Sequence, residues 1–167
     1  SIIVGSPYQR NLMEGVIYEQ AWEWATEVFR DSVAHAGERG VTICFEPLAP
    51  SETNFVNTHT EAIKFTKQID SPNFKIILDT KAMCSMGKPI PDIMRESKGE
   101  FAYYHANDEN LKGPGFGEVD FVPIGQALRE VGYDGVVSVE VFKFEEGPEV
   151  IATQSLANLK AAFGVSG

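Results

Sequence analysis

Five short apolar runs, separated by stretches with helical periodicity, dominate the hydrophobic pattern of the chain. The runs are rich in Ile, Val, Phe and Tyr and nearly continuous, which is typical of strands buried on both faces. They are SIIVGSP (1–7), VTICFEP (41–47), FKIILDT (74–80), FAYYHAND (101–108) and GVVSVEVF (135–142). A strand followed by a helix, five times over, predicts an α/β fold with a parallel sheet. The pattern fits a doubly wound open sheet or part of a (β/α)8 barrel.

Periodicity and capping residues predict the helices between these runs. Thr58 followed by Glu61 forms a capping-box pattern that predicts a helix to about Ile69. Three further helices are predicted near Pro91, from Asp120 to Gly132, and from Pro148 onward. The longest predicted helix covers residues 14–36 and places seven apolar residues on one broad face, namely Ile17, Ala21, Trp24, Ala25, Val28, Val33 and Ala36.

Composition and charge narrow the classes of partner. The chain has 167 residues, of which 43% are hydrophobic, and this suits one globular domain over residues 1–167. The formal net charge of −10 argues against nucleic acid and anionic membranes, which both select basic patches. Cys44 and Cys84 lack metal-like spacing, and no apolar run reaches the roughly 20 residues of a membrane helix. We therefore expect reduced thiols and a cytoplasmic protein.

Four of the five runs end in a side chain that can bind a metal ion or carry a proton. Glu46, Asp79, His105 and Glu140 follow one another at intervals of 33, 26 and 35 residues, each about one βα unit. Because parallel strands end at one edge of the sheet, these four side chains are expected to converge there if the sheet curves. Taken singly, each acid also fits a helix cap or an ion pair, and the histidine fits a core position.

Three converging carboxylates repel one another unless a positive charge lies among them. A divalent cation supplies that charge directly. Three oxygen ligands and one nitrogen ligand suit Mn²⁺, Mg²⁺ or Co²⁺, and Zn²⁺ also accepts them. Four protein ligands leave positions open on an octahedral ion, which two adjacent oxygens of a polyol or hydroxy-ketone would fill.

The motifs FEPLAPSETNFVNT, ILDT, YHANDENLKGPGFGEVDF and GYDGVVSVEVF carry a resemblance. The sequence resembles the sugar isomerase/epimerase family of xylose-isomerase-like TIM barrels, which includes ketose 3-epimerases, hydroxypyruvate isomerase and inosose dehydratase. The resemblance spans residues 45–142. It implies that the four strand-end residues hold one divalent metal ion, with Mn²⁺ favoured. It also implies that the substrate is a small sugar or polyol ketone.

The resemblance also implies residue roles. Glu46 and Glu140 would act as the acid–base pair that moves a proton next to the carbonyl, through a metal-stabilised cis-enediolate. Glu52 matches a substrate-contacting glutamate of the family. Lys112, like Lys81, is expected near the mouth of the site, where it would contact substrate or remain a solvated rim lysine.

Two positions depart from the ketose 3-epimerase pattern and leave the substrate open. A family histidine is replaced by Ala82, and a family arginine by Leu111. Dehydration of a keto-inositol at the same metal site is an alternative chemistry, and a non-catalytic metal- or sugar-binding module is another. A repair nuclease of the same fold is disfavoured, because it needs several zinc ions and the chain has three histidines.

Chain length predicts an incomplete barrel. A (β/α)8 barrel has eight βα units in about 250 residues, whereas five runs are present here. The motifs match strands four to eight, so we expect the C-terminal part of a TIM barrel. The chain also opens inside an apolar run without Met. A missing N-terminal segment, or a homo-oligomer, would cover the exposed sheet edges.

Overall fold

The computed structural model describes residues 1–164, and each predicted apolar run contains one strand of a single sheet. The strands are β1 (Ile2–Val4), β2 (Ile43–Phe45), β3 (Phe74–Asp79), β4 (Phe101–Ala106) and β5 (Val136–Val139). The helices are α1 (Tyr18–Gly37), α2 (His59–Ile69), α3 (Thr80–Cys84), α4 (Ile90–Glu96), α5 (Phe121–Val131) and α6 (Pro148–Phe163). The predicted α/β class is therefore confirmed.

The order of the strands separates the two architectures that the hydrophobic pattern allowed. Neighbours in the sheet follow chain order, β1-β2-β3-β4-β5. β1 pairs with β2 in parallel, with Ile2 opposite Ile43, and β2 pairs with β3 in parallel, with Ile43 opposite Phe74. A doubly wound sheet reverses its strand order at a switch point, whereas barrel strands keep chain order. The sheet is thus the five-stranded part of a (β/α)8 barrel.

The chain divides into two compact units, and β3 and β4 run through both. The first unit comprises Ser1–Ile77 and Glu100–Tyr103, and the second comprises Leu78–Gly99 with the residues from Tyr104 onward. The core of the first unit is a cluster of packed aromatic rings from α1, β2, α2, β3 and the loop before α2. Its members are Tyr18, Trp22, Phe29, Phe45, Phe55, Phe65 and Phe74.

In the second unit, α4 packs against α5, and α5 packs against α6. A Cβ atom added at Gly125 of α5 would lie 2.5 Å from the Phe163 ring of α6. Because real Cβ atoms do not approach that closely, the glycine sets the spacing between these two helices.

α1 buries only part of the face that its apolar pattern predicted. Val33 and Ala36 are buried as predicted, whereas Trp24 and Val28 are 50% and 67% exposed, and the helix begins at Tyr18 rather than near residue 14. Phe29 points inward instead, and its ring stacks on that of Phe74 at 5.2 Å and meets that of Phe45 at 5.5 Å. Large aromatic contacts with β2 and β3 therefore set the orientation of the helix, which a count of apolar positions does not capture.

The helix ends that were predicted from capping residues, at the start of α2 and at both ends of α5, are confirmed. The Thr58 side chain accepts a hydrogen bond from the Glu61 N–H, and the Glu61 side chain accepts one from the Thr58 N–H. Asp120 caps α5, and Gly132 ends it with a positive φ of 73°. The five-residue helix α3 was not predicted, because it is one short turn without a periodic apolar stripe.

Both cysteines of the chain, Cys44 and Cys84, are free thiols, as expected. Within residues 1–164, no helix combines the length and the apolar character needed to cross a bilayer.

The corrected face of α1 can be tested by two truncations at adjacent positions. We expect Phe29→Ala to lower the free energy of unfolding by about 3 kcal/mol, because it removes a ring packed among three others. Val28→Ala, on the exposed side, should change it by less than about 0.5 kcal/mol. Urea unfolding at 25 °C measures both, and equal losses would show that the face is wrongly assigned.

Candidate metal centre

The four strand-end residues singled out by the sequence come together in the structure. Glu46 follows β2, Asp79 ends β3, His105 lies in β4 and Glu140 follows β5. Each offers one ligand atom, and these atoms all lie within 4.8 Å of one another. Glu46 and Asp79 are buried, with 6% and 2% of their surface exposed. Three carboxylates and one imidazole at this spacing match the donor set of a hard or borderline divalent cation.

Glu46 is placed by the close approach of its carboxylate to the backbone of β1. Its N–H donates to the Val4 carbonyl at 3.1 Å, which extends the pairing of β1 with β2 by one residue. A Cβ atom added at Gly5 would lie 1.8 Å from Glu46 Oε2 and 2.9 Å from Cδ. The carboxylate therefore occupies the space that any side chain at position 5 would need. The sequence analysis assigned no role to Gly5. The signal for it was that β1, alone among the five strands, ends without a side chain that can bind a metal ion.

Asn107 joins two of the carboxylates with a single amide group. Its Nδ2 donates to Asp79 Oδ2 at 2.6 Å and to Glu140 Oε2 at 3.3 Å. Its Oδ1 accepts from the Lys81 N–H at 2.9 Å, and this fixes which way the amide points. Asn107 is fully buried. Sequence reasoning assigned it no role, although its position two residues after His105 places it on the same side of an extended chain.

Asp79 and His105 are held by their immediate neighbours along the chain. The Asp79 side chain caps α3 by accepting from the Ala82 N–H at 2.8 Å. The next residue, Thr80, donates from Oγ1 to the His105 carbonyl at 3.1 Å and pairs with the buried Tyr104 hydroxyl at 2.8 Å. These hydrogen bonds fix the short helix α3 to the strand β4 beside the two candidate ligands.

The electrostatics of the site favour an added cation. Burial raises the pKa of the Asp79 carboxyl, and the nearby Glu140 carboxylate raises it further. His105 Nδ1 lies 3.4 Å from Glu140 Oε2, and the interaction with this imidazole lowers the pKa of Glu140. A cation among these carboxylates would offset both the cost of burying Asp79 and its repulsion by Glu140.

The loop after β4 is organised around the carboxylate of Asp108. This buried side chain accepts from the Val119 N–H at 3.0 Å, and a Cβ atom added at Gly117 would lie 2.2 Å from it. Leu111 adopts a positive φ of 74° within the same loop. Asp108 and Gly117 of the motif NDENLKGPGFGEVD are therefore explained by the packing of the loop itself.

The two predicted substrate contacts have contrasting environments. Glu52 lies in the turn after β2, where its N–H donates to the Ala49 carbonyl at 2.9 Å. Lys112 donates to the Glu146 carboxylate and lies 3.9 Å from Glu145. Lys81 lies over the Phe142 ring, 4.7 Å from its centroid. The substrate roles of Glu52 and Lys112 remain predictions.

The fold and the four-residue group identify the class to which the chain belongs. Residues 2–162 match the xylose isomerase-like TIM barrel family, and the chain is a member of that family.

Within the family, the chain is similar to sugar epimerases. It is 36% identical over 121 residues to D-psicose 3-epimerase from Ruminiclostridium cellulolyticum (strain ATCC 35319 / DSM 5812 / JCM 6584 / H10), covering 72% of this chain and 41% of that one. It superposes with a TM-score of 0.75 and 30% identity on D-psicose 3-epimerase with D-tagatose from Clostridium cellulolyticum H10, covering 90% of this chain and 57% of that one. A further D-psicose 3-epimerase structure, determined with D-fructose, shares the fold at a TM-score of 0.83 and 24% identity, covering 90% of this chain and 59% of that one. The chain thus spans about two fifths of the length of the curated relative.

Gly5 offers a test of how Glu46 is positioned. We expect Gly5→Ala to displace the Glu46 carboxylate and to weaken Mn²⁺ binding on the order of 10- to 100-fold, as other changes around metal ligands do. Calorimetric titration of the full-length protein with Mn²⁺ measures the loss. Ser6→Ala, at the exposed neighbouring position, is the control. An unchanged Mn²⁺ affinity in Gly5→Ala would contradict the assignment.

Asn107 can be tested separately with a substitution of similar size. We expect Asn107→Leu to weaken Mn²⁺ binding on the order of 10- to 100-fold, because it removes the donor shared by Asp79 and Glu140. Asn73→Leu is the matched control, since that amide donates to the Val41 carbonyl at 3.1 Å in the first unit. Both variants should lose stability, but only Asn107→Leu should lose Mn²⁺ affinity in the same titration.

Proposed function

We propose that the chain is the metal-binding and proton-transferring part of a divalent-metal-dependent sugar epimerase or isomerase. The observation that carries the proposal is the group of three carboxylates and one imidazole at successive strand ends, with ligand atoms within 4.8 Å of one another. Similarity to D-psicose 3-epimerases supports the choice of sugar chemistry. The substrate class that follows is a small sugar or polyol ketone.

Glu46, Asp79, His105 and Glu140 are the residues that would hold the metal ion. Their donor set fits Mn²⁺ best, and Mg²⁺, Co²⁺ and Zn²⁺ remain testable alternatives. When bound, the ion would supply positive charge that polarises the substrate carbonyl and stabilises developing negative charge on oxygen. Asp79 and His105, which are fixed by α3 and by Thr80, would serve only as ligands.

Glu46 and Glu140 would perform the proton transfer. They follow β2 and β5, on either side of the two strands that carry the other ligands. One carboxylate would remove the proton from the carbon next to the carbonyl, giving a cis-enediolate. The other, protonated, would return a proton to the opposite face of that carbon, which inverts its configuration. Asn107 would keep Glu140 at a fixed distance from Asp79 throughout.

The experiment combines metal exchange with solvent labelling. The full-length protein is stripped with chelator, reloaded with each of the four cations, and incubated in D₂O with D-fructose, D-tagatose or D-allulose. Transfer through a solvent-exchangeable carboxyl group predicts deuterium at the inverted carbon, which proton NMR detects. We expect Mn²⁺ to restore turnover and the stripped protein to be inactive.

Two substitutions test the acid–base pair. Glu46→Gln and Glu140→Gln keep one oxygen but lose the basic group, so turnover should fall about 10²- to 10⁴-fold. Glu149→Gln, an exposed carboxylate in the first turn of α6, should leave turnover unchanged. Turnover that survives either of the first two substitutions would rule out its proposed role.

Two other outcomes would redirect the assignment. An unsaturated ketone formed from a keto-inositol, detected by its ultraviolet absorbance, would indicate a dehydratase instead. Binding of Mn²⁺ without turnover of any ketose would indicate a binding module.

A further inference from the structure

The first turn of α3 brings an ammonium group beside two of the candidate metal ligands. Lys81 follows Asp79 by two residues, and its Nζ lies 4.7 Å from the centroid of the Phe142 ring. Phe142 in turn follows Glu140 by two residues. The contact between Lys81 and Phe142 therefore joins the segments that carry these two carboxylates, and the cation is held next to both.

The charge of Lys81 acts on the same two carboxylates. Burial raises the pKa of Asp79, and the Lys81 ammonium opposes that rise. The interaction with His105 lowers the pKa of Glu140, and the Lys81 ammonium lowers it further. A divalent ion would leave one negative charge among the three candidate carboxylate ligands. The ammonium of Lys81 balances that charge without entering the ligand group.

Lys81 also lies where a small molecule can approach it. Its side chain is half-buried, and the Phe142 ring beneath it is 48% exposed. Lys112 is the other lysine expected near the mouth of the site, but it donates to Glu146 and lies 3.9 Å from Glu145. Two carboxylates outside the metal-binding group therefore hold Lys112. Lys81 is the better placed of the two lysines for contact with substrate.

We propose that Lys81 is a catalytic residue whose ammonium donates a hydrogen bond to an oxygen of the enediolate formed from the substrate. This inference rests on the proposed function and adds a residue to its chemistry. Proton transfer to a glutamate removes one negative charge from the candidate ligands and places it on the substrate oxygens. An ammonium that is already held beside them stabilises this charge without a further counter-ion.

The first test measures binding, so that it does not depend on turnover. Glycolohydroxamate is a planar anion that resembles a cis-enediolate, and analogues of this kind report contacts that strengthen as charge develops. The full-length, Mn²⁺-loaded protein is titrated with it calorimetrically. We expect its Kd to rise on the order of 10- to 100-fold in Lys81→Met, which keeps the apolar stem over Phe142 but loses the charge. Lys88→Met, which removes an exposed lysine paired with Glu96, should keep the wild-type Kd.

The affinity for Mn²⁺ separates direct contact from a structural role. Removing a cation beside the carboxylates lowers the repulsion that Mn²⁺ meets, so Lys81→Met should bind Mn²⁺ at least as tightly as the wild type. Damage to the arrangement of the ligands would instead weaken Mn²⁺ binding. In the ketose assay, kcat of Lys81→Met should fall on the order of 100-fold, while the Kd of the ketose changes less.

Several results would overturn the inference while leaving the proposed function in place. Equal hydroxamate affinity in the wild type and Lys81→Met would show that Lys81 does not touch the ligand, as would the absence of hydroxamate binding by the wild type. Weaker Mn²⁺ binding by Lys81→Met would show a structural role. A larger loss of hydroxamate affinity in Lys112→Met would assign the contact to Lys112. Hydroxamate binding that depends on Lys81, without turnover of any ketose, would contradict the proposed function alone.

Discussion

A single buried amide resolves the main conflict in this structure, which is that acidic side chains converge at one edge of a sheet. Asn107 donates to Asp79 at 2.6 Å and to Glu140 at 3.3 Å while its oxygen accepts from the Lys81 N–H. An amide can do this because it offers donors to the carboxylates without bringing a charge of its own. A lysine in this position would neutralise the carboxylates and compete with a metal ion. The amide holds the carboxylates in place and leaves their negative charge for a cation.

The placement of the four candidate ligands could be predicted from the sequence because it depends on the topology of the sheet. Glu46, Asp79, His105 and Glu140 recur at the spacing of one βα unit, and parallel strands bring such positions to one edge. Their convergence needs no knowledge of side-chain packing. The same reasoning identified all five strands and the helix ends that have capping residues.

The orientation of α1 could be predicted only in part, because it depends on competition between apolar faces. Trp24 and Val28 fit the periodic stripe as well as Phe29 does, yet Phe29 is the residue that enters the aromatic cluster. The roles of Gly5 and Asn107 could not be predicted from the sequence for a related reason. Their importance lies in one close approach and one bridging hydrogen bond, and both arise only when distant segments meet in three dimensions.

The candidate metal ligands and the candidate substrate contacts lie on elements of different rigidity. The four candidate ligands lie on strands or on the first residues after them, where the backbone is fixed by the sheet. Glu52 lies on a loop that Asn54 joins to the loop before α1, and loops can change without disturbing the sheet. A sequence can therefore preserve every metal-binding position while its substrate contacts diverge. The strand-end motifs accordingly identify the family, whereas Ala82 and Leu111 depart from the ketose 3-epimerase pattern.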